Sequence, residues 1–381
     1  MVSLPPTRGG AVEAYITDLA KILNESPEVS TTIVSNVGDS FYNQFPAINV
    51  IKSHSPVDDF PLSLFKGTFA HSMGGFLTFL SSRRVQNQYE GSEISVVYHL
   101  NEEVSLFLFS LLKRKDPIVY TIHNPPPSLG KNSIGQFQRY IRWTNSGINL
   151  IALKNLHAHI ISINPQLTRW LLSFGYEDSR IHEIPLPVDT EKYTPIENFD
   201  HSSSDYMLFV GRMDQRKNPM DLLRALKATK KKRKLVMVGS GPLYEDVTRY
   251  VDSAGLTDSV TIYPRLSERE LISYYQNARF MCFPSHLEAF PRVVIEAASC
   301  GTPVLHQRIP IFSQYTDAGF GVPYNPSGNP NMADVIEEMF EDDQKIRIMS
   351  TAARQFCLRN ISYKVVGRKT IDAYRSAIDD R

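Results

Sequence analysis

The 381-residue chain has three cysteines, two tryptophans and almost no net charge, and each scarcity removes a class of protein. Cys282, Cys300 and Cys357 show neither pairable nor metal-finger spacing, which argues against a disulfide-stapled secreted domain or a structural zinc site. All three lie in apolar surroundings and read as buried free thiols in a reducing, cytoplasmic compartment. A net charge of +1 argues against nucleic acid as an obligatory partner. No apolar run is long enough to span a membrane, and the expectation is a protein without a secretory signal. Several chemical signatures are also missing. There is no G-x-G-x-x-G for a nicotinamide cofactor, no G-x-S-x-G for a serine hydrolase, and no D-x-D or His/Cys cluster for a metal. The expectation is therefore no cofactor and no metal.

What is present describes a globular α/β protein. Apolar residues make up 42% of the chain and charged residues 21%, and the length exceeds one ordinary core, so two domains are expected. The opening strand, VSL, is so short that a few residues are expected to be missing ahead of it. Charge is unevenly spread: residues 60–160 hold ten Lys/Arg against five Asp/Glu, leaving the rest of the chain net acidic.

Strand and helix patterns alternate throughout, as in parallel α/β architecture. The first series includes strands at Val2–Leu4, Thr31–Ser35, Ala47–Ile51, Ile94–His99, Pro117–His123, Ala158–Ile163 and Arg180–Ile184. Its helices are expected at Gly10–Asn24, Leu62–Arg84, Glu102–Lys113, Gln136–Leu156 and Pro165–Phe174. The Pro- and Ser-rich stretch after Ile184 lacks periodicity and reads as a linker. A second series follows, with strands starting at Tyr206, Leu235, Val260, Phe280, Pro303 and Phe320. Its helices include Pro219–Thr229, Pro242–Ala254, Glu268–Asn277, Asn331–Phe340, Asp343–Leu358 and the tail Tyr363–Ile378. The expected boundaries are 1–185, a hinge at 186–205, 206–360, and a C-terminal helix within 361–381. Two doubly wound domains across a cleft, with ligands at the C-terminal strand edges, is the natural architecture.

Phe283–Leu305, FPSHLEAFPRVVIEAASCGTPVL, reads as a strand end, a polar turn, a helix and the next strand. Pro291 suits the first helical position and Gly301 the stop. Glu288 lies in the turn, and Glu296 sits in an otherwise apolar helix, where a carboxylate needs a specific partner. Upstream, Gly211 follows a strand and Arg212 and Lys217 share the next loop, a pattern that suits a diphosphate. A solvated surface loop is the plain alternative. Gly239 and Gly241 in VGSGP, and Gly9 and Gly10 in the first series, permit close backbone approach at a helix start. His99 and His123 both end strands, and His123 is favoured for function because Asn124 and three prolines follow it. His157 and His159 do not read as a metal pair. The helices at 62–84 and 136–154 mix aromatic and aliphatic residues with Lys and Arg. Each alone reads first as a core-facing helix, with contact to anionic lipid as the alternative.

Together these motifs resemble the retaining glycosyltransferases of family 4, which have the GT-B fold. The resemblance runs through RGGAVEAYITDLAKIL, VYTIHN, VGRMDQRKNP, VGSGP, HLEAFPRVVIEAASCGTPVL and the tail ISYKVVGRKTIDAYRS. It implies two Rossmann-like domains, an acceptor-binding one followed by a nucleotide-sugar-binding one, with the tail helix packing back on the first. It further implies that Glu288 contacts the donor sugar and helps stabilise the transition state, that Glu296 holds the ribose, and that Arg212 and Lys217 neutralise the diphosphate in place of a metal. His123 bridges sugar and acceptor. Gly9, Gly10, Gly211, Gly239, Gly241, Phe290, Pro291 and Arg292 complete the donor site. The implied activity is transfer from a nucleotide diphosphate sugar to a hydroxyl acceptor, at a cytoplasmic site that could touch the inner membrane face. A nucleotide-sugar epimerase of the same fold and a non-catalytic sugar-binding protein are the alternatives. A phosphorylase would need a pyridoxal lysine and a longer chain. The sequence departs from the family pattern at Ala289, at Leu186-Pro187 and at Pro264-Arg265, which bear on sugar preference and hinge geometry.

Overall fold

The computed structural model describes residues 2–3, 11–27, 32–35, 49–52, 97–100, 117–123 and 151–380. The chain forms two compact units, Met1–Pro187 with Val366–Arg381, and Val188–Val365. Gly9, Gly10, the loop after His123 and the helices expected at 62–84, 102–113 and 136–150 lie outside the described residues.

In unit one the described strands are β1 (Val2–Ser3), β2 (Thr32–Ser35), β3 (Asn49–Lys52), β4 (Tyr98–Leu100), β5 (Ile118–Ile122), β6 (His159–Ser162) and β7 (Ile181–Glu183). They form one sheet in the order β3-β2-β1-β4-β5-β6-β7, with every pairing parallel. Apolar residues on successive positions of β5 and β6 are buried, as expected of a sheet covered on both faces. Helix α1 (Ala11–Asn24) buries Tyr15, Ile16, Leu19 and Leu23. Helix α2 (Pro165–Ser173) starts where Pro165 needs no N–H partner and the Asn164 side chain accepts from Leu167 N at 2.9 Å. Its Leu171 joins Tyr98, Ile118, Tyr120, Ile160 and Tyr176 in the core.

Unit two contains β8 (Tyr206–Val210), α3 (Pro219–Ala228), β9 (Lys234–Val238), α4 (Tyr244–Ser253), β10 (Val260–Tyr263), α5 (Glu268–Asn277) and β11 (Phe280–Phe283). These are followed by α6 (Arg292–Ser299), β12 (Val304–Gln307), the short α7 (Ser313–Asp317), β13 (Gly321–Tyr324), α8 (Met332–Glu341) and α9 (Asp343–Phe356). Its parallel sheet runs β10-β9-β8-β11-β12-β13. The period-2 alternation of a strand divides two cores along β8: Met207 and Phe209 join one, Leu208 and Val210 the other. The final helix, α10 (Tyr363–Asp379), passes at Val366 from the second unit into the first.

Some boundaries differ from those expected. The strand expected at 94–99 is observed at Tyr98–Leu100, with 94–96 outside the described residues. Helix α4 begins at Tyr244, because Gly241 at φ +154° is not helical and Leu243 N donates to Met213 O at 2.9 Å instead of starting the helix. After α9, Cys357–Ile361 forms a wider π turn. Within the hinge expected at 186–205, Val188, Tyr193 and His201 are buried, and Ser299 Oγ donates to Tyr193 O at 2.5 Å.

Candidate functional site

In unit two, β8 and β11 are sheet neighbours whose connections lead to opposite sides of the sheet. The crevice beyond the C-terminal ends of such a strand pair is where open α/β sheets bind ligands. The loop after β8 carries Gly211, Arg212 and Lys217, and the loop after β11 carries Ser285 and Glu288.

The first loop is wound tightly. Asp214 Oδ1 accepts from Lys217 N at 3.0 Å and Asp214 O accepts from Asn218 N at 3.0 Å. Asn218 takes a left-handed conformation, φ +54°, and Pro219 starts α3. The Lys217 stem folds back over Gly211, and its Nζ lies 4.6 Å above the Phe283 ring. Nζ reaches Glu288 Oε1 at 2.5 Å, and Ser285 Oγ donates to the same oxygen at 2.6 Å. Glu288 is 7% exposed, so this carboxylate is buried with both partners on one oxygen. Among the described residues, no donor reaches Oε2. Burial pushes the Lys217 ammonium pKa down, and the Glu288 charge opposes that shift. Arg212, by contrast, is largely exposed, with Nε 3.5 Å from Asp214 Oδ2.

Backbone contacts join three loops at this edge. Gly211 N donates to Val238 O at 3.0 Å, Met213 N to Ser240 O at 2.9 Å, and His286 N to Arg216 O at 3.0 Å. Gly239 has φ +146°, and a Cβ there would run into the Gly211 carbonyl. Gly239 and Gly241 therefore fit the neighbouring loop as well as keeping the edge open.

Glu296 lies on α6, 7% exposed, with Oε1 3.1 Å from Arg292 Nε and Oε2 accepting from the Tyr275 hydroxyl at 3.1 Å. Burial, followed by the Glu296 charge, pushes the Tyr275 pKa well up. Pro291 occupies the N-cap of α6, one residue earlier than expected, and Phe290 packs against the core below. The structure thus brings together Gly211, Arg212, Lys217, Gly239, Gly241 and Glu288, with Phe290, Pro291, Arg292 and Glu296 on the turn and helix that continue from Glu288. Sequence reading missed Ser285 and Tyr275. A hydroxyl three residues before the carboxylate in one turn was a usable signal for Ser285. Tyr275 gave none, because it lies on another helix.

In unit one, His123 follows β5 and meets the Tyr15 ring edge-on at 4.9 Å; burial lowers its pKa to about 4. His99 is buried, bonded to Thr121 and Tyr374. His159 stacks on His182, with Nδ1 2.9 Å from His182 Nε2, and no group of three metal-ligating side chains occurs among the described residues. The basic run 230–234 is largely neutralised by ion pairs from Lys231 to Glu341, Lys232 to Asp258, Arg233 to Glu337 and Lys234 to Asp205. All three cysteines are buried, and burial raises each thiol pKa. Among the described residues no helix is long and apolar enough to cross a membrane.

Comparison with known proteins agrees with this layout. Residues 12–192 match the family model for Glycosyltransferase Family 4, and residues 194–356 match that for Glycosyl transferases group 1. A D-inositol 3-phosphate glycosyltransferase of Paenarthrobacter aurescens is 27% identical over 239 residues, 58% of each chain. That of Nocardiopsis dassonvillei is 32% identical over 155 residues, 36% of each chain. The matches thus span roughly a third to three fifths of those relatives' lengths. Among solved structures, Anabaena Alr3699/HepE in complex with UDP superposes with a TM-score of 0.75 at 14% identity, covering 98% of this chain and 99% of that one. Sucrose-phosphate synthase of Thermosynechococcus elongatus gives 0.75 at 18% identity, covering 100% and 99%. Both likenesses concern the fold, which is GT-B. With the two family models meeting near the junction of the two units, the chain belongs to the family 4 glycosyltransferases.

Proposed function

We propose that this protein is a metal-independent, retaining glycosyltransferase that moves a hexose from a nucleotide diphosphate sugar to a hydroxyl acceptor. The observation that carries this reading is the Lys217–Glu288–Ser285 cluster at the switch point of unit two. Breaking an anomeric C–O bond places positive charge on the sugar and negative charge on the departing diphosphate. Fixed charges of opposite sign aimed at the two halves stabilise that separation.

In this reading Lys217 and the exposed Arg212 meet the diphosphate and supply the charge that a metal would otherwise bring. Glu288 offers Oε2 to a sugar hydroxyl while Lys217 and Ser285 hold Oε1. Glu296, oriented by Tyr275 and Arg292, accepts from the ribose. Gly211, Gly239 and Gly241 keep side chains away from the phosphates. His123 is assigned to the acceptor and the transferred sugar, in unit one. UDP in the HepE structure makes uridine nucleotides the first donors to try. The names of the D-inositol 3-phosphate glycosyltransferase relatives make an inositol phosphate the first acceptor. The protein is assigned to a reducing, cytoplasmic compartment. Contact with an anionic membrane face is assigned to the basic segments 62–84 and 136–154, which the sequence leads us to expect as helices.

The test incubates the protein with a panel of nucleotide sugars, with and without acceptors, and measures nucleotide release and the anomeric configuration of the product. Release unaffected by both Glu288→Gln and Lys217→Ala would sink the site. Turnover to an epimer without acceptor would indicate an epimerase. Binding without turnover on any acceptor would indicate a sugar-binding protein. An inverted product would exclude retention. Sedimentation with anionic vesicles at rising salt tests the membrane contact.

A further inference from the structure

Unit one contains a buried chain of polar side chains that the proposed chemistry does not use directly. The Tyr374 hydroxyl, on α10, lies 2.6 Å from His99 Nδ1, on β4. His99 Nε2 lies 2.6 Å from Thr121 Oγ1, on β5, and Thr121 Oγ1 lies 3.3 Å from the Tyr15 hydroxyl, on α1. The Tyr15 ring then meets the His123 imidazole edge-on, with an angle of 68° between the planes. Tyr15, His99 and Thr121 are each at most 2% exposed, and Tyr374 is 9% exposed.

The protonation of His99 fixes how the chain is ordered. Burial, with His123 nearby, lowers its pKa to about 3, so the ring is neutral and has one N–H. One ring nitrogen therefore donates and the other accepts. If Nδ1 donates to Tyr374, Nε2 accepts from Thr121, and Thr121 can accept from Tyr15. If Nε2 donates to Thr121, Tyr374 donates to Nδ1, and Thr121 can donate to Tyr15. In both cases the bonds run in one direction, and a break at either end leaves a buried polar atom without its partner.

Thr121 is in β5 and His123 lies two residues further on, immediately after the strand ends at Ile122. Tyr15 spans both, its hydroxyl bonded to Thr121 and its ring packed against His123. Phenylalanine could fill the space at 15 or 374 without the cost of burying a hydroxyl. What the hydroxyls add is orientation. We propose that Tyr15 is a positioning residue for His123, held through Thr121 and His99, and that Tyr374 of the C-terminal helix anchors the far end of the chain.

The functional consequence rests on the assignment of His123 above; the positioning itself does not. The test follows the His123 imidazole resonances by NMR in the full chain, assigned with His123→Gln. Tyr374→Phe, Thr121→Val and Tyr15→Phe should each shift them, and Thr121→Ser, which restores a hydroxyl, should leave them near their original positions. Resonances unmoved by the first three changes, or moved as far by Thr121→Ser as by Thr121→Val, overturn the proposal. Thr121→Ser is the mildest change and keeps the comparison available if a larger one fails to fold. On the donor and acceptor that the wild type turns over, the first three variants should lower kcat by roughly tenfold or more with donor KM unchanged, as expected when a reacting group is misplaced. Shifted resonances in a protein whose turnover survives His123→Ala would remove the role of His123 and leave the positioning. Turnover abolished by His123→Ala, with no shift in any of the three variants, would do the reverse.

Discussion

Lys217 Nζ stands 2.5 Å from Glu288 Oε1, joining two side chains 71 residues apart in the loops that follow neighbouring parallel strands. Further bonds tie the two loops together: Arg216 O accepts from His286 N and Ser285 Oγ, just before the lysine that meets the glutamate. Changes on one loop should therefore be felt on the other.

Lys217→Ala leaves a buried carboxylate without its cation and should destabilise the protein by about 3 kcal/mol. Glu288→Gln keeps the volume and should cost less. Each should lower turnover by about a hundredfold or more, as expected for loss of a fixed charge at a reacting centre. A denaturation cycle with the double variant should show non-additivity of about 1 kcal/mol or more. Additive effects would mean the pair does not couple in solution.

Tyr275→Phe removes one donor from Glu296 while keeping the ring. The expected result is a donor KM raised about fivefold, equivalent to ~1 kcal/mol, with kcat little changed. A fall in kcat at constant KM would instead place Glu296 in the chemical step.

Gly239→Ala introduces a Cβ where the Gly211 carbonyl stands, at a φ of +146°. The expected cost is about 2 kcal/mol or more, from strain and from displacement of the β8 loop. Chemical denaturation gives the first quantity and nucleotide affinity the second. A neutral substitution would show that the two loops are looser than their hydrogen bonds indicate.

Stability should fall with acid before the carboxylates titrate. Burial lowers the pKa of His99 to about 3 and that of His306 to about 4, from an ordinary value of 6.5. Between the folded and unfolded values the unfolded chain binds more protons. The stabilisation is complete above about pH 6.5 and is lost as pH falls toward the folded values, by up to ~3 kcal/mol for His306 and ~5 kcal/mol for His99. Urea midpoints from pH 7 to 4.5 should decline, and His306→Gln should make the decline shallower. A flat profile would show that these rings protonate without opening the fold.

Much of this was legible in the sequence because its cues are local. Alternating strand and helix patterns, Pro219 and Pro165 at helix starts, and Glu288 and Lys217 near strand ends all announce themselves within a few residues. Partnerships are a different matter. That Lys217 bonds Glu288, that Tyr275 orients Glu296 and that Tyr374 reaches His99 depends on strand order and helix packing, which no short window contains. The glycines show an intermediate case: VGSGP signals a backbone in need of room, but not that Gly211 is one of the neighbours needing it. Val188 and Tyr193 were hidden by composition, since a Pro- and Ser-rich stretch can still bury its few apolar residues.

Cys282 in β11, Cys300 at the end of α6 and Cys357 in the π turn are all sealed from water, and all three belong to unit two. A thiol reagent therefore reads out opening events in that unit alone. Labelling rates on the unmodified chain, followed residue by residue, become a clock for how often each layer of unit two breathes, and a nucleotide bound there as proposed should slow it.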